Sequence, residues 1–344
     1  MSRSPDGTWD AFIWDHNVYV RPARLTAADP DAWRTRTPPE LRSGCDALAV
    51  PGALPPPDAD ALPVGSIALT RDGSSRWGYG LYRFGIQVAR VDAERYRLSG
   101  DGITWSPDSR KFVLRRDNLR GVRIYPLYSS TSNQPVDHSY FYAAPGDTAT
   151  LRYDYHIFDV TSRTGVRVEG DPHGLLGTTG EARWGRNAAE LYVMHTARGS
   201  RAMTLSLVDT NTGSARPIVG DTMPTFVEAR DWEIVNGGDV LWVSERDGWG
   251  HLYRHGRDGT PRNRITAGSW AVAAIQHADT VRRQVWFTAW GMEPGVPYYA
   301  HLYRVNFDGS GLTHLTAEPG ITASVSRPAA ATSWTRIRAS KRPG

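Results

Sequence analysis

Along most of this chain apolar and polar residues alternate in short runs, the period of half-buried β-strands, and tight-turn residues punctuate the runs. Two stretches show the pattern best. One is Trp242-Val-Ser-Glu-Arg-Asp-Gly-Trp-Gly-His-Leu-Tyr-Arg254, closed by Arg264-Ile-Thr-Ala-Gly268. The other is Val285-Trp-Phe-Thr-Ala289 leading to His301-Leu-Tyr-Arg-Val-Asn-Phe-Asp-Gly-Ser-Gly-Leu-Thr-His-Leu-Thr316. They are one unit written twice: an aromatic strand, a turn, a strand on His-Leu-Tyr-Arg, an Asp-Gly turn and a strand ending in Thr. Self-similarity at about 40 to 50 residues, with four strand signals per unit, predicts the blades of a β-propeller.

Earlier copies are shorter. Ser4-Pro-Asp-Gly7 reads as a turn before the strand Trp9–Trp14, and Asp15-His-Asn as the turn before Val18-Tyr-Val20. Proline presets the second turn position and Asp-Gly completes the reversal, so this signal has a mechanism. It returns at Trp105-Ser-Pro-Asp-Ser109 before Lys111-Phe-Val-Leu-Arg115, and weakly at Trp184-Gly-Arg-Asn187 before Glu190-Leu-Tyr-Val-Met194. Met203–Val208, a turn over 209–213 and Ala215–Val219 complete that third copy. The expected fold is therefore all-β, a β-propeller of four-stranded antiparallel blades, with about six to seven of eight blades present.

Two regions break the period. Residues 24–64 are rich in proline and alanine, including Pro55-Pro-Pro57, and read as a long surface insertion. Residues 118–152 interrupt it again, with an aromatic density, Tyr125 and Tyr140-Phe-Tyr142, that argues against simple disorder.

Composition narrows the function classes. The 344 residues carry a net charge of +4, and lysine accounts for only Lys111 and Lys341 among 40 basic residues, which points to a GC-rich genome. The basic residues are scattered, with no stripe interleaved with aromatics, so no nucleic-acid partner is expected. The single cysteine, Cys45, excludes an internal disulfide framework and is compatible with a reducing, cytoplasmic compartment. No apolar segment follows Met1-Ser-Arg-Ser-Pro5, and none reaches membrane-spanning length, so neither a signal peptide nor a membrane anchor is read.

The ordered combination of Trp105-Ser-Pro-Asp-Ser-Arg-Lys111, Tyr142-Ala-Ala-Pro-Gly-Asp147, His156-Ile-Phe-Asp-Val160, Val243–Tyr253, Thr266-Ala-Gly-Ser-Trp-Ala-Val272 and His301-Leu-Tyr-Arg304 resembles the N-terminal β-propeller of the dipeptidyl peptidase IV family, in the prolyl oligopeptidase group of serine peptidases. The resemblance covers residues 4–326. It implies a non-catalytic propeller that gates entry to a following α/β-hydrolase domain and binds the free amino terminus of a peptide substrate. No Gly-x-Ser-x-Gly nucleophile elbow occurs in this sequence; Asp72-Gly-Ser-Ser75 and Asp308-Gly-Ser-Gly311 sit in hairpin contexts. No catalytic residue, cofactor or metal is expected here, the hydrolase is the expected partner, and an oligomer is compatible with the resemblance.

In the family two acidic residues neutralise the peptide's ammonium. Setting Val91-Asp-Ala-Glu-Arg95 against that place puts Glu94 on one acid and Ala93 on its partner, so one of the pair is absent. Glu94 is thus either a surviving ammonium ligand or a solvated loop carboxylate between Asp92 and Arg95. Other candidates read as structural. His251 and His255 lie four apart on strand and turn residues, where they do not converge as on a helix. Glu245-Arg-Asp-Gly248 is a hairpin turn, and the recurring tryptophans pack neighbouring sheets. Asp154, Asp159 and Glu233 lack the regular placement a propeller glycosidase would need.

Residues 327–344 show no alternation and read as an irregular tail. Codons compatible with it can spell an aromatic strand in the neighbouring frame, so the tail is read as frameshifted and the chain as a truncated fragment. The alternative function is a stand-alone protein- or peptide-binding β-propeller.

Overall fold

The computed structural model describes residues 1–23, 62–80, 98–99, 102–130, 133–137, 139–170, 173–174, 182–197, 199–228, 231–316, 321–325 and 337–341. All but the last three residues of the proline-rich insertion at 24–64 lie outside them. Strands dominate; the one helical element among the described residues is the 3-10 turn Asn236–Gly238. The chain forms two compact units, residues 1–198 with 207–216, and residues 199–206 with 217–344.

In the first unit, strand Trp9–Trp14 is paired with Asn17–Pro22, which in turn takes Ile67–Ala68. Asp15 and His16, both at positive φ, make the two-residue turn whose twist matches a hairpin. On its other side Trp9–Trp14 is bordered by two short pieces, Ser2–Arg3 opposite Ala11 and Asp10, and Leu98–Ser99 opposite Trp14 and Ile13. The second sheet is built the same way. Lys111–Asn118 pairs with Arg152–Asp159 on one side, while Thr104–Trp105 and Trp77–Tyr79 share the other. Thr164–Arg167 continues that sheet.

Alternation along Arg152–Asp159 decides the packing. Phe158 joins Ala11, Ile13, Val18, Val20, Tyr79, Phe112 and Leu114 in a core between the first and second sheets. Tyr153, Tyr155 and Ile157 point the other way, onto Leu191, Val193 and Val208. The interruption at 118–152 proves to be two small ribbons, Ile124–Tyr125 with Tyr140–Phe141 and Tyr128–Ser129 with Val136–Asp137. They rise from a satellite core of Leu119, Val122, Phe141 and Leu151.

Three four-stranded antiparallel sheets follow. The third sheet runs Ala182–Trp184, Glu190–Thr196, Ala202–Asp209, Ala215–Thr222, in sequence order. The fourth is Trp232–Ile234, Val240–Ser244, His251–His255, Pro261–Arg264, and the fifth Ala271–Asp279, Gln284–Trp290, His301–Asn306, Thr313–His314. Each is the up-and-down meander expected of a propeller blade. Trp270, Val272, Val285, Phe287, Tyr303 and Val305 of the fifth pack on Leu241, Val243 and Leu252 of the fourth.

The tail departs from expectation. Ile337–Lys341 is a strand, antiparallel to Ile321–Val325. Ile337-Arg-Ala-Ser alternates after all, over a span too short to stand out against the irregular residues before it.

Candidate functional site

Glu94, with the whole of Val91–Arg95, lies outside the described residues; the described roots on either side of it in the sequence are Gly80 and Leu98. The described chain reaches Gly80, where a Cβ would stand 3.0 Å from the Ile13 side chain, and resumes at Leu98 opposite Trp14. Both roots therefore meet the same end of strand Trp9–Trp14. The approach to Gly80 is tightly held. Gly73 donates its N–H to Asn17 Oδ1 at 2.8 Å, and a side chain there would collide with the His16 carbonyl. Tyr79 N donates to that carbonyl at 3.0 Å.

Beside this root, cross-strand register lines up Tyr79, Arg116 and Asp154 in one row over three strands. Arg116 is 7% exposed, donates from Nη2 to the Asp72 carbonyl (3.1 Å) and carboxylate (2.9 Å), and lies 3.8 Å over the Trp77 ring. Its buried Nε has no hydrogen-bond partner. The Tyr79 hydroxyl meets His156 Nδ1 at 3.3 Å. Burial, reinforced by the cations of Arg116 and Arg167, pushes His156 down to about 4, so the ring is neutral at pH 7. Burial likewise pushes the Tyr79 hydroxyl up and raises Asp154, against the pull of Arg167 and Arg116. The row thus fixes the Arg116 guanidinium on the Asp72 carboxylate, beside the Tyr79 hydroxyl and the neutral His156 ring.

The other sequence candidates resolve into structural parts. His251 donates from Nε2 to the Gly268 carbonyl (3.0 Å), has Nδ1 3.1 Å from Thr266 Oγ1, and meets Trp270 edge-on. His255 faces the Gly259 carbonyl. Among the described residues no group of three or more His, Cys, Asp or Glu side chains is placed to hold a metal. The Asp159 carboxylate caps its own turn, accepting from Thr161 N and Ser162 N. Glu245–Gly248 is a hairpin, but Asp247 in it also accepts from Tyr253 Oη at 2.6 Å and pairs with Arg264 at 2.7 Å. Trp232 and Trp242 are fully buried, as packing requires, whereas Trp249 and Trp290 are about half exposed.

Sequence reasoning missed Asp221. Its carboxylate accepts from Trp242 Nε1 (2.7 Å), Ser244 Oγ (2.9 Å) and Arg246 Nη2 (3.1 Å). Sequence reasoning marked Thr266 and Thr316 as the end of the repeated unit but not their role. Each hydroxyl accepts the N–H of the leucine in His-Leu-Tyr-Arg at 3.0 Å, so the repeated threonine is a latch of the repeated unit.

Comparison with known proteins adds the context. A family profile described as the dipeptidyl peptidase IV (DPP IV) N-terminal region matches residues 67–334. Dipeptidyl peptidase 4 of Trichophyton equinum is 32% identical over 85 residues, 24% of this chain and 10% of that protein. The dipeptidyl peptidase 4 of Arthroderma otae is 33% identical over 82 residues, with the same coverage. Among solved structures, Porphyromonas gingivalis dipeptidyl peptidase 4 superimposes with a TM-score of 0.64 at 20% identity, covering 94% of this chain and 39% of that one. The likeness to that structure is one of fold, and the chain spans well under half the length of the relatives it matches.

Proposed function

This chain belongs to the dipeptidyl peptidase IV N-terminal region family, and from that premise we propose that it is the non-catalytic propeller portion of a serine exopeptidase. It gates access to an α/β-hydrolase domain and binds the free amino terminus of the peptide. The observation that carries this reading is the family match over 67–334 together with the run of four-stranded meanders. Exposed aromatics support it: Trp249, Trp290, Tyr298 and Tyr299 lie on or next to the hairpins that join the second and third strands of the fourth and fifth sheets, as a face covered by another domain would have them.

Within this reading Glu94 supplies the one surviving carboxylate for the ammonium. At 4 Å and an effective dielectric of about 20 such a pair interacts by about 4 kcal/mol, against about 1 kcal/mol in water. The test is calorimetric titration of the full chain with a short peptide and with its N-acetylated form. The free amine binds at least about tenfold tighter, a difference of about 1.4 kcal/mol, and Glu94→Gln abolishes the preference. Equal affinity for the two peptides in the unaltered chain refutes amino-terminus recognition. A preference that persists in Glu94→Gln moves it to another residue.

A further inference from the structure

The fourth and fifth sheets carry the same three-part clamp, in which a tyrosine hydroxyl and a cation share one carboxylate from the hairpin before the tyrosine's strand. In the fourth sheet Tyr253 stands opposite Arg264, and both reach Asp247, at 2.6 and 2.7 Å. In the fifth, Tyr303 stands opposite His314, and both reach Glu293 Oε1, at 2.8 and 3.3 Å. The two clamps match in register and differ in the cation. Arginine is charged at every pH a protein meets, whereas imidazole is the side chain that gains or loses its charge in the physiological range.

We infer that Glu293, Tyr303 and His314 form a pH-gated clamp on the hairpin 291–300, tightened when His314 is protonated, while the corresponding hairpin 245–250 is held permanently. Charging the ring converts the His314–Glu293 contact into an ion pair and makes both ring nitrogens donors. Nδ1 then donates to Glu293 and Nε2 to Thr316 Oγ1, 3.4 Å away. The groups facing the imidazole are Glu293 from the hairpin, and Tyr303, stacked at 4.9 Å, and His301, edge-on at 5.3 Å, from the neighbouring strand. Arg304 lies one step further along that strand and bonds Thr313. Glu293 is the one anion in this set, so protonation is directed at it. The tethered hairpin displays Val296, Tyr298 and Tyr299, all exposed, so acidification holds an aromatic surface more firmly in place. This inference stands on the clamp alone and does not depend on a peptidase role.

The experiment is hydrogen exchange by mass spectrometry on the full chain at pH 5.5 and 7.5, corrected for intrinsic exchange. Protection of 291–300 is divided by that of 245–250, so the arginine clamp serves as an internal standard. On acidification the ratio rises about two- to fivefold, the range of one partly exposed ion pair. His314→Arg, which copies the neighbouring sheet, holds the ratio at its acid value at both pH values. If that variant does not fold, Glu293→Gln serves in its place and gives a ratio that no longer responds to pH. A flat ratio in the unaltered chain, or a pH response that survives in the variant measured, overturns the inference.

Discussion

Removing His156 should free the chain from one source of acid lability. In the folded protein the ring is held neutral down to about 4, against the ordinary 6.5 of an unfolded chain. Between those values the unfolded state takes up the proton more readily, so the contribution is present above pH 6.5 and lost as pH falls towards 4. Linkage over this interval gives a loss of about 2 kcal/mol between pH 7 and pH 5, and about 3 kcal/mol in all once the pH is below 4. His156→Phe keeps an aromatic ring beside Phe158 and Tyr79 and removes the titration. Loss of the Tyr79 hydrogen bond costs about 1 kcal/mol at either pH and cancels in the difference. Urea unfolding of the full chain, followed by tryptophan fluorescence at pH 7 and pH 5, measures it. The unaltered chain loses about 2 kcal/mol more than the variant on acidification; equal losses refute the assignment of a neutral buried imidazole.

Two further predictions concern the frame. Ser106→Ala costs about 1 to 3 kcal/mol in the same unfolding assay, because its fully buried hydroxyl ties the Ser-Pro-Asp turn to Asp108 Oδ1 and to both backbone groups of Lys111. Trp270→Ala costs about 3 to 5 kcal/mol, since the ring is buried against Phe287, Tyr303 and His251; a loss under about 1 kcal/mol would place the ring outside the core.

The repeated half of the chain was the legible half. His-Leu-Tyr-Arg and its Asp-Gly turn repeat as strings, and the structure repeats their hydrogen bonds, down to Thr266 and Thr316. Ser-Pro-Asp announced the strands Trp9–Trp14 and Lys111–Asn118 because its turn chemistry is local, the serine hydroxyl bonding within a few residues of itself. The Tyr79, Arg116 and Asp154 row was not legible. Those residues lie on three strands far apart in sequence, and only the register brings them level. Arg116 reads as one more surface arginine until Trp77 and Tyr79 cover it. The role of Asp221 was hidden for the same reason, since its three donors come from the next strand pair. Glu94 was singled out by its place in a motif, which carries no information on geometry.

The pairing of Leu98–Ser99 with Ile13 and Trp14 has a kinetic consequence. The other pairings of the first sheet close shorter spans, the longest from Val20 to Ile67, whereas this one closes the span from Trp14 to Leu98. By loop-closure entropy that step costs about 3 kcal/mol more than closing the Asp15-His16 hairpin. Hairpins form in microseconds, and distant pairings wait on them. The edge of the first sheet at Ile13 and Trp14 is therefore completed late, after the local hairpin is in place, and it is the pairing a growing chain cannot make until residue 99 has been added.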